Sequence, residues 1–368
     1  MSNEGKQDSG TVKKDTSTFF VGSYSDTGPY VPEARGIGVS MCVLNLESGT
    51  IEKRGECTEA KNSTYLEKSP DGEYVFVAAD MFDDEGEVQV FSLESGELSL
   101  VSSQSSHGQS TCHVSCDLKG EMVFVSSYQD GKLTTHKFNG EEIFPASRII
   151  SYTGSGPNAE RQEAAHAHQA VVSPNNKWLY VCDLGSDKIW IHEPDKLSED
   201  KKSWKSVDVP PGYGPRHLVW NAQLPIAYVL CELNSHILVY EWDELDGEMD
   251  LIEDIDALPN EYTGVAAGAA IRFHPTNKTL FISDRGQNSI VVHSINESDG
   301  RLTYEEWFST RGKAPRDFNI DPTGKWLLAA NQDTHTIVPF QLDSRTGLPT
   351  GKAGQIFETG TPVCILFK

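Results

Sequence analysis

The chain has 368 residues, 38% of them hydrophobic, and a formal net charge of −23. That charge argues against nucleic acid or an anionic membrane surface as a partner, because phosphate groups need a basic face, and no apolar run approaches the ~20 residues of a membrane span. Seven cysteines, at 42, 57, 112, 116, 182, 231 and 364, are odd in number and contain no CxxC pair. This pattern points to reduced thiols and a cytoplasmic setting, and away from a disulfide framework or a zinc finger.

In chain order, the polar stretch over residues 1–17 lacks the apolar core of a secretion signal and reads as a flexible leader, with one domain expected over 18–368. FFVGSY at 19–24 reads as a strand. A unit then recurs in six copies: YLEKSPDGEYVFVAAD, CHVSCDLKGEMVFVSSY, HQAVVSPNNKWLYVCDL, RHLVWNAQLPIAYVLCE, AAIRFHPTNKTLFISDR and RDFNIDPTGKWLLAANQ. Pro70, Leu118, Pro174, Ala222, Pro275 and Pro322 occupy its proline place, 47 to 56 residues apart. Each copy alternates Val, Ile, Leu, Phe and Tyr between turn residues, as β-hairpins do, and helical periodicity is absent. The repeat predicts an all-β, seven-bladed β-propeller. TPVCILF at 361–367 supplies the innermost strand of the seventh blade and FFVGSY the next, so the two termini close the ring without an exposed strand edge. An open solenoid or a pair of sandwiches would not repeat the hairpin register so evenly.

Counting from the proline place, the turn centre falls near +2, so place −6 is expected to face place +10 at one end of the central channel. Place −6 holds Thr64, Cys112, His168, Arg216, Ala269 and Arg316; place +10 holds Asp80, Tyr128, Leu184, Glu232, Arg285 and Gln332, with Tyr24 in the matching terminal position. Ionisable groups thus fall on consecutive blades: His168 in blade four, Arg216 and Glu232 in five, Arg285 in six and Arg316 in seven. Arg216 with Glu232 can be a plain cross-strand salt bridge. Two further arginines without a matched carboxylate point to an anion site, since a guanidinium grips carboxylate or phosphate with paired donors.

The longest interval arises from SYTGSGPNAERQEA, 151–164, which enters the inner strand of blade four and is expected to cover the same mouth with Arg161 and Gln162. Its continuation, AAHAHQ, sets His166 and His168 on one face of an extended segment. No third ligand at metal-binding spacing accompanies them, so no metal is expected. His168 is expected in the mouth as a general acid or base, with His166 ordering the loop or bonding beneath it.

Taken together, HAHQAVVSP, GSGPNAERQE, DLGSDKI, the GPRHLVW to CELNS hairpin, SDRGQNSI and PRDFNIDPTGKWLLAANQ resemble the lactonase family of seven-bladed propellers over roughly residues 18–367. That family includes bacterial-type 6-phosphogluconolactonases and fungal 3-carboxymuconate lactonizing enzymes. The resemblance implies a metal-independent enzyme, with no cofactor, acting on a small anionic lactone or its open acid. It sets the family's active-site histidine on His168, its first arginine on Arg216, its glutamate on Glu232 and its second arginine on Arg285; Arg161, Gln162 and Arg316 also match motif places. The expected reaction is hydrolysis of a sugar lactone, 6-phosphogluconolactone foremost. His168 or Glu232 is expected to activate water, Arg216 to polarise the carbonyl, and Arg285 with Arg316 or Arg161 to hold the anionic tail, with His166 joining the substrate-binding set. Two other readings stay open. The same residues could open or close a muconolactone ring, or the propeller could be a non-enzymatic interaction scaffold, which would carry its distinctive residues on an outer face.

Overall fold

At the foot of five of the six repeated hairpins the chain reverses at the proline place and the residue two further on takes a left-handed backbone, Leu224 being the exception. Gly72 has φ +75, Asn176 +60 and Gly324 +71 in the computed structural model, which describes residues 15–93, 97–197 and 200–368. Neighbouring carboxylates close the same turns: Asp71 Oδ1 accepts from the Glu73 amide at 2.9 Å, and Asp321 Oδ2 from the Trp326 amide at 2.7 Å. On either side, β-branched and aromatic residues extend as strands because their side chains pack well on a pleated surface.

Antiparallel strands, four to a blade, form seven blades. Blade one joins the chain ends: Pro362–Phe367 is its inner strand, followed by Thr16–Ser23, Val39–Asn45 and Ile51–Cys57. The inner strands of blades two to seven are Ser63–Lys68, Thr111–Cys116, Ala167–Val172, Pro215–Trp220, Gly268–Phe273 and Pro315–Ile320. Blade seven carries one additional short strand, Phe357–Glu358, on its third strand. The expected propeller and its closure by the terminal strands are therefore what the chain forms. The first strand already begins at Thr16, inside the segment read as a leader, and residues 1–14 of that segment lie outside the described residues.

Burial follows radial position. Every residue of Ile226–Cys231 and of Trp326–Asn331, second strands of their blades, is buried, whereas the outer strand Leu302–Ser309 is mostly exposed. Between blades four and five, Tyr180, Val229, Tyr240 and Trp242 share one apolar cluster. Polar tips of such aromatics find backbone partners on a neighbouring blade: Tyr180 donates to Gly247 O at 2.7 Å, Tyr228 to Gly300 O at 2.6 Å and the Trp326 indole to Leu46 O at 3.1 Å. These bonds satisfy groups whose burial would otherwise be costly.

Places −6 and +10 do not face each other, contrary to the expected register. Ala167 pairs with Asp183 and Gln169 with Cys182, which leaves His168 as an extra residue bulged from the ladder. Arg216 stands in the same way between the pairs Pro215–Cys231 and His217–Leu230, and Arg316 between Pro315–Asn331 and Asp317–Ala330. A bulge leaves its extra residue unpaired and re-aims its side chain. Both places nevertheless lie at one end of the channel, where they line a common cavity.

Candidate active site

That cavity, of about 550 Å³, is walled by five of the eight candidate residues: His168, Glu232, Arg161, Arg285 and Arg316. Glu232 follows directly on the second strand of blade five, where its amide donates to Gly214 O at 2.8 Å and its carbonyl accepts from the Gly268 amide at 3.0 Å. This backbone grip holds the carboxylate between blades. Arg216 Nε donates to Glu232 Oε2 at 2.9 Å, Arg285 Nη2 pairs with the same oxygen at 3.0 Å, and Arg161 Nη2 pairs with Oε1. One buried carboxylate thus receives three guanidiniums.

Two opposed effects act on Glu232. Burial favours its protonated form, but Arg285, Arg216 and Arg161 together outweigh that and hold the carboxyl far below the usual carboxylate range. Arg216 is itself buried, and burial pushes it down to about 10 against the support of Glu232. Its Nη1 donates to Ala269 O and lies 3.2 Å from His217 Nε2, so Arg216 stands behind Glu232 and is absent from the cavity wall.

His168 is 4% exposed, and its Nδ1 is buried without a hydrogen-bond partner among the described residues. Aromatic packing fixes the ring: Tyr128 meets it edge-on at 5.9 Å and His217 at 5.2 Å between centroids. Burial first, then the charges of Arg216 and Arg316, hold the imidazole well below its ordinary value, so it is neutral near pH 7.

The loop from blade three to blade four lies over this site and is fastened from within. Gln162, fully buried, donates to Leu184 O at 2.9 Å and accepts from the Asn158 amide at 3.2 Å. His166 stacks on Tyr128 at 4.3 Å, its Nδ1 is 2.8 Å from Tyr128 O and its Nε2 is 3.3 Å from Glu163. Gln162 and His166 therefore turn into the protein and do not line the cavity. Arg161 reaches out from the loop, bonding to the Tyr128 hydroxyl at 3.2 Å as well as to Glu232.

Opposite this cluster, Arg316 lies over the ring of Tyr24 at 6.0 Å, and it makes no hydrogen bond or ion pair among the described residues. Asp80, Gln332 and Asp333 share that wall. Tyr30 and Pro32, from the segment between the second and third strands of blade one, also line the cavity, and the Tyr30 hydroxyl donates to Gln129 Oε1 at 2.7 Å. The hairpin count missed these two; the only signal was the long Gly-Pro-rich gap between FFVGSY and the next strand. A second cavity, about 700 Å³, opens among turns that include Asp71, Asp117 and Glu121, where Asp71 and Asp117 are spent on their own turns. Among the described residues no group of three or more His, Cys, Asp or Glu is arranged to hold a metal ion, and no helix is long and apolar enough to cross a membrane.

Comparison with known proteins places this geometry. The family model described as lactonase, 7-bladed β-propeller, matches residues 18–367. A 6-phosphogluconolactonase of Bacillus subtilis is 30% identical over 354 residues, 95% of this chain and 97% of that one. A 6-phosphogluconolactonase of Formosa agariphila is 33% identical over 337 residues, 89% of this chain and 93% of its own. Among solved structures, the periplasmic gluconolactonase PpgL of Pseudomonas aeruginosa superposes with a TM-score of 0.86 at 25% identity, covering 96% of this chain and 99% of that chain. The chain belongs to the lactonase family of seven-bladed β-propellers.

Proposed function

We propose that the chain hydrolyses 6-phosphogluconolactone to 6-phosphogluconate in the mouth cavity, without a metal, as a cytoplasmic enzyme. The observation that carries this reading is a neutral His168 that shares one cavity with a carboxylate saturated by three guanidiniums. Both oxygens of that carboxylate are taken up by guanidiniums, so Glu232 serves as the anchor of the arginines, and the base is His168. With Nδ1 buried, Nε2 is the nitrogen left to meet a water. Nε2 takes a proton from the water as its oxygen attacks the lactone carbonyl carbon. The carbonyl oxygen, now negative, is held by Arg285, one of the cations on the cavity wall, and Arg216 positions Glu232 from behind. Collapse breaks the bond to the ring oxygen, which takes the proton back from the imidazolium, giving the free hydroxy acid.

The free site is poorly disposed to protonate His168 because the ring is buried and guanidinium charge acts on it. An anionic substrate offsets that charge and raises the basicity of the imidazole. The names of the relatives support a lactone substrate, and none of those reported above points to ring closure of a muconate or to a scaffold. Proton release from fresh 6-phosphogluconolactone, followed at constant pH with and without the protein, tests the reading; catalysis well above the spontaneous rate is expected, and none would overturn it.

A further inference from the structure

We infer that Arg316, lying over the ring of Tyr24, is the subsite for the phosphoryl group of the lactone, so that this one residue sets the preference for phosphorylated over unphosphorylated substrate. The inference rests on the lactonase reading above and names the substrate class of the same cavity.

Four arginines surround the mouth, and they are not equivalent. Arg161, Arg216 and Arg285 all converge on Glu232, and their remaining contacts go to Tyr128, His217, Ala269 O, Ala267 O and Gly268 O. Arg216 is withdrawn from the wall altogether. Arg316 alone of the four has neither an ion pair nor a hydrogen bond among the described residues. Asp80 and Glu232 favour its charge from a distance, but Asp80 Oδ1 is turned to the Phe82 amide at 2.9 Å and no Arg316–Asp80 ion pair forms. A guanidinium set over an aromatic face makes no hydrogen bond to it, so its N–H donors stay available for paired bonds to a phosphate.

Position supports the same assignment. Arg316 projects from a bulge in blade seven, while the Glu232 cluster belongs to blade five and His168 to blade four. The cavity therefore offers two kinds of cation: guanidiniums tied to the Glu232 carboxylate, and Arg316, which is tied to none. A lactone with its carbonyl held at Arg285 leaves its phosphoryl group to the guanidinium that no carboxylate of the chain occupies. Shape and apolar contact contribute little to choosing between a phosphate and a hydroxyl there; an unpaired guanidinium contributes much, because its charge-assisted bonds to a phosphate have no equal with a hydroxyl.

The test compares 6-phosphogluconolactone with glucono-δ-lactone in wild type, Arg316→Gln and Arg316→Lys. The ratio of kcat/KM for the phosphorylated over the unphosphorylated lactone should fall about 10- to 100-fold in Arg316→Gln, chiefly through KM, with partial recovery in Arg316→Lys. A ratio within twofold of wild type overturns the assignment. Calorimetric binding of 6-phosphogluconate against gluconate decides the subsite even if the chain turns over neither lactone: the tighter binding of the phosphorylated acid should disappear in Arg316→Gln, and its persistence overturns the inference independently of the fate of the lactonase reading.

Discussion

Arg161 and Glu232 form an ion pair across 71 residues of chain, joining the loop that enters blade four to the head of blade five. The pair is asymmetric: the Glu232 side chain is 4% exposed and that of Arg161 is 43% exposed. The carboxylate is thus fixed and the guanidinium is a fastening that can be removed without opening the core.

Removing it should loosen the loop more than the fold. Arg161→Gln is expected to cost under about 1 kcal/mol of stability, as exposed ion pairs do, while raising KM for the lactone several-fold. Urea unfolding checks the first part, and hydrogen exchange across residues 153–164 checks that the loop is what moved.

Glu232→Gln should be far more damaging, because it strands positive charge at a buried place. Breaking such a pair costs about 3–5 kcal/mol. Since Glu232 is held below its ordinary value of 4.5, its contribution is complete above that pH and fades only as pH falls toward the folded value. The deficit of the variant should therefore be full at pH 7 and shrink only in strong acid, as urea unfolding at pH 7 and pH 4 would show.

His168→Ala should reduce kcat by about 10² to 10⁴, the usual worth of a positioned base, with circular dichroism unchanged. The pH dependence follows from the depressed imidazole. In the free enzyme His168 stays neutral below 6.5, so kcat/KM should show no acid limb near that value. For stability the sign is the following: a histidine held neutral by the fold contributes fully above 6.5 and loses its contribution as pH falls below it, because only the unfolded chain then binds the proton. His113, pushed down to about 3, and His217 act in the same direction. Unfolding free energy should fall between pH 7 and pH 5, by at most about 1.4 kcal/mol per pH unit for each such residue.

Closure of the ring depends on a strand of six residues. Ile365 is fully buried beside Val21, its strand partner, and Phe367 packs on Phe19 at 5.5 Å. Ile365→Ala should cost about 2–5 kcal/mol, and deleting residues 362–368 should prevent folding, because Thr16–Ser23 would lose its neighbour and blades two and seven their contact with that strand. Soluble yield and thermal melting measure both.

The propeller was legible because each hairpin carries its own turn chemistry, and the spacing of Pro70, Pro174, Pro275 and Pro322 repeats it. What the hairpin arithmetic misjudged was the register at its upper end. A β-bulge adds one residue without leaving a compositional trace, so His168, Arg216 and Arg316 looked like partners of place +10 when they are residues without a partner. The rough location survived the error, since a bulged residue stays at the same height along the channel. Arg216 shows the limit of such reasoning: sequence spacing brought it to Glu232 but could not tell that it stands behind the carboxylate. Gln162 and His166 show another, because whether a loop side chain faces the cavity or the protein depends on packing against Leu184 and Tyr128, distant in sequence. Tyr30 and Pro32 lay in no repeat and had no register to betray them.

A crystal structure of the protein with 6-phosphogluconate bound, the product of the proposed reaction, tests the central claim most directly. The expected density places the carboxylate of the acid against Arg285 and within hydrogen-bond reach of His168 Nε2. A ligand found instead in the cavity among the turns of Asp71 and Asp117, or absent from the mouth at saturating concentration, would contradict the account.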